Sequence, residues 1–554
     1  MKPTLKDFNL NLTDFTNTSE ETIKDMLNAT GCGFCLAKWT QVTMHLGNGL
    51  THSCHHPVPH QIPLDELKKN PSALHNTVFK KEQRKKMLAG ERPDECEYCW
   101  RIEDNSTQPS DRIQKSMAKY SIIDHDEIAK MTGDEDVFPR YLEVSFDRTC
   151  NLKCAYCGPD FSSKWVEEIN EHGVYDLPHF LKYNWSANTT ILHKEENPYT
   201  EAFWKWWPEA KKHLIVLRIT GGEPLLSKNT FMLLESLKNS PEPELELSIN
   251  TNGNPPDNIW KRFVDIIKHL INNKCIKSFT LFTSAEAYGK QCEYIRYGLD
   301  FDKFTKNINY FLKNTDNTRL VFMAAFNILS LPSFTDFLKF VLSLKLQFNH
   351  NGYYTWLERM NVNAVDKIMS SKLAAHDIDA DIEDFTTRKN KSPVLFSRVG
   401  IDIPYVRNPD FLDAHLATRN LVQTHMIDSL NFVYSNMSSA DWYDCMGFEV
   451  WEASKLRRIF DMQLNRVNNN DNADGTSNDE TTSKSRDRFY QFINEYDRRK
   501  KTNFLETFPE LNEFYNVCKM ENEIQKKESD KRRNLNLLKL IDKLSLSTSP
   551  IKEN

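Results

Sequence analysis

Apolar and polar positions change their period sharply along this 554-residue chain. Between about 138 and 410, short apolar runs alternate with longer amphipathic stretches. The strand candidates are 141–147, 213–220, 244–251, 278–284 and 319–327. A sixth falls at either 353–358 or 399–406. Helical spacing of apolar residues marks 229–239, 258–272 and 333–345 between them. Such βα alternation predicts an α/β fold with a parallel sheet and crossover helices. Six units rather than eight predict a partial (β/α)6 barrel.

Both flanks read differently. Residues 1–130 are loop-rich and hold Cys32, Cys35, Cys54, Cys96 and Cys99. Residues 411–554 form a mainly helical extension, with helix expected over 487–520 and a charged helical tail from 521. The polar stretch 465–486 predicts a disordered linker. Within the first βα unit, 173–212 is an aromatic-rich insertion containing FWKWW (203–207). Its tryptophans either line a channel or pack the insertion on the sheet, and local packing is the preferred reading.

Composition narrows the class. The net charge of −6 offers no general attraction to nucleic acid or membrane. No apolar run reaches the roughly 18 residues of a membrane span. The start, MKPTLKDFNLNLTDF, is not a signal peptide. Twelve Cys in this length are too sparse for a disulfide scaffold. Their clustering favours metal ligation in a reducing cytoplasm.

The densest cluster is DRTCNLKCAYCGPD, with Cys150, Cys154 and Cys157 spaced C-x3-C-x2-C directly after the first strand. Ligand chemistry in parallel βα folds collects at such strand ends. Three thiolates can hold three irons of a [4Fe–4S] cube and leave the fourth open. A zinc site would need a fourth ligand nearby, and the next Cys is Cys275. The second strand runs into Gly221, Gly222 and Glu223, the third into Asn250–Asn254 (NTNGN). The fourth ends at Ser284 with Glu286 beyond it, and Arg296 follows. Taken singly, each is an ordinary turn or a surface ion pair, Arg296 with Glu293 or Asp300. Asn327, ending the fifth strand, is more readily a satisfied core amide.

In combination and order, these elements resemble the radical S-adenosylmethionine (SAM) superfamily. The resemblance implies that Cys150, Cys154 and Cys157 hold a SAM-binding [4Fe–4S] cluster. It implies that Tyr156 packs on adenine and that Gly221, Gly222 and Glu223 hold the methionine amine. Ser284 and Glu286 fall at the ribose, and Arg296 at the SAM carboxylate. Cys35, Cys54, Cys96 and Cys99, with the spacing C-x13-G-x4-C followed by CEYC, resemble a SPASM/twitch module, here preceding the barrel. That implies a second, auxiliary [4Fe–4S] cluster. By ligand type alone, four-cysteine zinc fits better, the resemblance reverses that order, and Cys32, His52, His55 and His56 compete as ligands. The implied activity is reductive SAM cleavage to a 5′-deoxyadenosyl radical and hydrogen abstraction from a substrate. The implied substrate is a peptide or protein side chain, with carbohydrate or nucleotide-sugar as the rival. A flavodoxin- or ferredoxin-like reductant is implied as partner. A non-catalytic iron–sulfur or zinc binding module is the contrasting reading.

Overall fold

A computed structural model describes residues 2–8, 10, 18–177, 196–348, 397–438, 447–466, 475–477 and 479–547. Its strands are β1 (Gln41–His45), β2 (Leu50–His52), β3 (His60–Gln61), β4 (Tyr141–Ser145), β5 (Lys153–Cys154), β6 (Val216–Thr220), β7 (Glu242–Thr251), β8 (Ile276–Ser284), β9 (Arg296–Tyr297), β10 (Thr318–Met323) and β11 (Val399–Asp402). Nine of them form one sheet in the order β11-β10-β8-β7-β6-β4-β1-β2-β3, and β5 pairs with β9 separately.

Six strands, β4, β6, β7, β8, β10 and β11, lie side by side in chain order, and every neighbouring pair is parallel. Helices connect them, among them Lys228–Asn239, Asp257–Asn272, Phe301–Asn314 and Phe334–Phe348. The molecule is thus a mixed α/β protein built on a parallel sheet. The sixth strand forms at 399–402, whereas the rival segment 353–358 lies outside the described residues.

One face of the sheet is apolar and packs on these helices. Phe279 of β8 contacts Phe263 at 6.0 Å and Phe311 at 6.1 Å between ring centroids, and Phe322 of β10 meets Phe337. The N-terminal segment does not stand apart from this sheet. β1 pairs parallel with β4, from Gln41↔Tyr141 to His45↔Ser145. The turn from β1 to β2 places Gly49 at φ +69°, where the Tyr199 ring occupies the space a Cβ would need.

Tyr199 belongs to the helix Pro198–Ala210, which carries the FWKWW segment. Asn197 caps it by accepting from the Tyr199 and Thr200 amides, and its side-chain amide donates to the Leu46 carbonyl. Phe203, Trp206 and Trp207 are buried in the core, so these tryptophans pack the insertion on the sheet.

The stretch 465–486 is not a linker throughout. A helix runs from Glu480 to Lys500, capped by Asp479, and an earlier one reaches Arg466. Ser483, Ser485 and Arg486 are buried there through polar partners: Glu521, Asp410 and the Leu416 carbonyl. Low apolar content misleads where hydrogen bonds rather than hydrocarbon seat a helix. Residues 467–474 and 478 lie outside the described residues. Among the described residues, no helix is long and apolar enough to cross a membrane.

Candidate functional site

The cysteine loop begins five residues beyond β4 and is fastened from three sides. Its own residues Lys153–Cys154 form β5, which pairs antiparallel with Arg296–Tyr297. The Ala155 amide donates to the Ile295 carbonyl at 2.7 Å. Ser163 Oγ accepts from the Cys150 amide, Ser162 Oγ donates to the Leu152 carbonyl, and Trp165 Nε1 donates to the Cys154 carbonyl. Burial pushes the Cys154 thiol up to about 12 and raises Cys150 and Cys157 as well. Protonated, tightly seated thiols gain from an electrophilic partner that displaces the proton.

Strand-end turns hold the loop from beneath. The Gly222 and Glu223 amides donate to the Asp147 and Thr149 carbonyls, at 3.3 and 2.7 Å. A Cβ on Gly222 would meet the Thr149 and Arg148 carbonyl oxygens at 2.5 and 2.6 Å. That position therefore admits only glycine without moving the start of the cysteine loop. Glu223 itself is buried, and both carboxylate oxygens are engaged. Oε1 accepts from Thr251 Oγ1 (2.7 Å) and the Leu225 amide, Oε2 from the Asn252 amide at 2.6 Å. Burial lifts its carboxyl to about 7 against the pull of these donors. In this arrangement Glu223 braces the NTNGN turn against the GGE turn. Asn252 then donates to Asn151 Oδ1 at 2.7 Å, and Asn151 donates to the Asn254 carbonyl at 2.9 Å, which ties the third strand end into the cysteine loop.

Tyr156, Glu286 and Arg296 meet beside Cys154. Arg296 donates to Glu286 Oε2 through Nε at 3.0 Å and also reaches the Tyr156 hydroxyl. That hydroxyl lies 3.2 Å from the same carboxylate oxygen. Arg296 Nη1 approaches Cys154 Sγ at 3.8 Å. The ion pair is buried, so Arg296 is not in a surface pair with Glu293 or Asp300. Glu293 instead takes Lys290 and the Phe301 amide. Glu286 Oε1 is fully buried and has no partner among the described residues. Ser284 ends β8 next to this group, half-buried. Asn327 caps the turn Ile328–Ser333 as a satisfied core amide.

A fourth fastening has no local signal in the sequence. Lys500, at the end of the helix Glu480–Lys500, pairs with Glu168, and both side chains are buried. Its ammonium lies 4.4 to 5.1 Å from the rings of Tyr496, Trp165 and Tyr297. Lys153 of the cysteine loop joins the same carboxylate at 2.9 Å.

The second cysteine group lies at the opposite end of the strands. Cys35 precedes the short helix Ala37–Thr40 that feeds β1, and Cys54 follows β2, which runs antiparallel to β1. Cys35, Cys54, Cys96 and Cys99 line one cavity with Trp100, Arg112 and Lys115. Burial raises all four thiols, Cys96 and Cys99 to about 12. Cys32 is exposed and is not part of the lining. His56 lines the cavity but is bonded to Asp111 at 2.8 Å. His52 pairs with His45 at 3.1 Å and with the Cys54 carbonyl, and His55 is exposed. Cys275, Cys292 and Cys518 are buried singly, and Cys445 lies outside the described residues. Among the described residues, no three His, Cys, Asp or Glu side chains are gathered around a point that a single metal ion would fill.

No family model matches the chain. A stretch of it is similar to GTP 3′,8-cyclases: 30% identical over 122 residues to that of Alkaliphilus metalliredigens, and 25% over 113 residues to that of Campylobacter curvus. These stretches cover 22% and 20% of this chain and 30% and 27% of the relatives. The chain thus spans under a third of the length of the curated relatives it matches. Among solved structures, Streptococcus suis SuiB bound to S-adenosylmethionine is 14% identical, covering 66% of this chain and 71% of that one, at a TM-score of 0.27. SuiB bound to its precursor peptide SuiA gives a TM-score of 0.26 at 14% identity, covering 66% and 72%. Overlaps that low set no fold. The cyclase similarity, taken with the C-x3-C-x2-C loop at the end of β4, supports the resemblance to the radical SAM superfamily.

Proposed function

We propose that the chain is a radical SAM enzyme whose six parallel strands form a partial barrel around the reaction site. Cys150, Cys154 and Cys157 would hold a [4Fe–4S] cluster that, with SAM, would supply reductive cleavage to a 5′-deoxyadenosyl radical for hydrogen abstraction from substrate. The observation that carries this reading is the group beside Cys154. Glu286 presents one buried, unpartnered carboxylate oxygen there, next to Tyr156 and Arg296. An orphan acceptor of this kind fits a ligand hydroxyl such as those of a ribose. Tyr156 offers a ring for adenine, Ser284 a second hydroxyl contact, and Gly221 and Gly222 close backbone approach. Arg296 stands ready for a carboxylate by exchanging part of its contact with Tyr156. Glu223 acts on SAM through the turn it braces.

The four-cysteine cavity is read as an auxiliary [4Fe–4S] site that handles the second electron, within a twitch-like module over residues 1–130. Its donor set fits a fully ligated cluster. The barrel spans 138–410 and the helical extension 411–554. A flavodoxin- or ferredoxin-like protein in the cytoplasm supplies the reducing electron. The substrate is read as a peptide or protein side chain, with carbohydrate or nucleotide-sugar as the rival.

Anaerobically reconstituted, reduced protein incubated with SAM is expected to yield 5′-deoxyadenosine by mass spectrometry. Cys154→Ala is expected to yield none. Tight metal with no SAM affinity would replace this reading with a non-catalytic iron–sulfur or zinc module.

A further inference from the structure

The two faces of the sheet are chemically opposite, and the difference follows register rows. Val42, Leu142, Leu217, Leu247 and Phe279 lie side by side and face the helices. One residue further along, the row reads Thr43, Glu143, Arg218, Ser248, Thr280 and Arg319. Parallel sheets ordinarily bury both faces under apolar side chains. Six successive polar residues in one row therefore sacrifice packing on this face, which is expected where the face meets a polar ligand.

Glu143 and Arg218 are directly opposed on neighbouring strands, yet they do not clasp. Arg218 Nε stands 4.0 Å from Glu143 Oε2, with side chains 23% and 15% exposed. That is too far for a charge-assisted hydrogen bond. Each is held by something else. Arg218 Nε donates to Asn250 Oδ1 at 3.0 Å, and its guanidinium lies over the Phe282 ring at 4.8 Å. Glu143 accepts from the Tyr141 hydroxyl at 3.2 Å and from Thr220 Oγ1 at 3.3 Å. The result is an oriented donor beside an oriented acceptor.

Charge within the pair is balanced, one carboxylate accompanying Arg218, and Asp402 at the far strand pairs with Lys455. A phosphate-bearing ligand calls for a surplus of cations. A donor next to an acceptor instead complements an extended peptide residue, whose own N–H and C=O point to the same side.

We propose that Glu143 and Arg218 form a subsite for one extended residue of a peptide substrate, Arg218 donating to that residue's carbonyl and Glu143 accepting from its N–H. This inference rests on the peptide reading of the proposed function and assigns the residues that would select it.

The test uses full-length, anaerobically reconstituted protein, with SAM binding measured by calorimetry on the same preparation. The probes are a synthetic mixture of capped random hexapeptides and an equimolar panel of ribonucleoside triphosphates and UDP-sugars, each scored by affinity selection and mass spectrometry. The wild type is expected to retain a subset of the peptides. Arg218→Met and Glu143→Ala are expected to cut that retention by roughly tenfold or more, the scale of a lost hydrogen bond to a charged group. Arg218→Lys keeps stem and charge, so it guards against misfolding. It is expected to weaken retention too, because it loses the planar fork. Retention of nucleotides instead, retention of no probe, or equal peptide retention by all variants would overturn the inference. SAM binding without peptide retention defeats the subsite alone. Absence of SAM binding by a metal-loaded protein defeats the proposed function itself.

Discussion

Two groups of cysteines sit at opposite ends of the same strands and are built on different principles. The Cys150 group lies beyond the C-terminal end of β4, and Cys35 and Cys54 lie at the other end of β1 and β2. Along a five-residue strand, that separation is on the order of 17 Å. The first group has three thiols, and its surroundings are hydrogen-bonding side chains and strand-end turns that leave Glu286 Oε1 unpartnered. The second has four thiols around one cavity, with an indole and cations completing the wall. Three ligands with an unpartnered acceptor nearby suit a cofactor that must bind a second molecule. Four ligands suit one that must only be held.

Breaking one end at a time should separate the two. Replacing both Cys96 and Cys99 with Ala is expected to lower iron from about eight to about four per chain while SAM binding persists. Cys154→Ala is expected to lose SAM binding and keep the other iron. Iron analysis with calorimetry reads both, and coupled loss from either variant would merge the sites.

Lys500→Met sharpens the comparison from a distance. It removes one partner of a buried pair that bears on the cysteine loop through Glu168 and Lys153. A loss of about 3 kcal/mol is expected in denaturant unfolding. Iron should become labile at the three-cysteine end only, followed by chelator release. Gly222→Ala acts on the same end through the backbone. Its Cβ would contact two loop carbonyls, at a cost of about 1–3 kcal/mol, and iron occupancy there should fall.

The smallest effect concerns pH. Glu223 in the folded chain titrates near 7, above its ordinary 4.5. Between those values the native state binds more protons than the unfolded state, so this group's contribution to stability declines as pH rises from about 4.5 to about 7. Glu223→Gln is expected to flatten that part of the stability profile. A parallel profile in denaturation midpoints across pH 4.5–8 would remove the raised carboxyl from the account.

Much of this layout was legible in the sequence, for identifiable reasons. β4 falls within 141–147 and the helix Asp257–Asn272 around 258–272, because one-sided burial imposes period 2 or 3.6. The seven cysteines proposed as ligands fall into two spatial groups, three and four, at the two ends of the sheet. Hidden were the links that no local period records. Gln41–His45 reads as a loop-rich segment, yet it extends the parallel sheet. Glu168 and Lys500 meet across 332 residues of chain. Glu223 was expected to reach an ammonium group directly, and its engagement by Thr251 and Asn252 follows only from how two turns stack.

The most direct test of the contrast between an open and a closed site is electron paramagnetic resonance of the reduced protein with and without SAM. It should be recorded on the Cys96→Ala/Cys99→Ala variant and, separately, on Cys154→Ala. The account predicts that SAM changes the spectrum of the first variant and leaves that of the second unchanged. A SAM-dependent change in the Cys154→Ala variant, or none in the other, would contradict it.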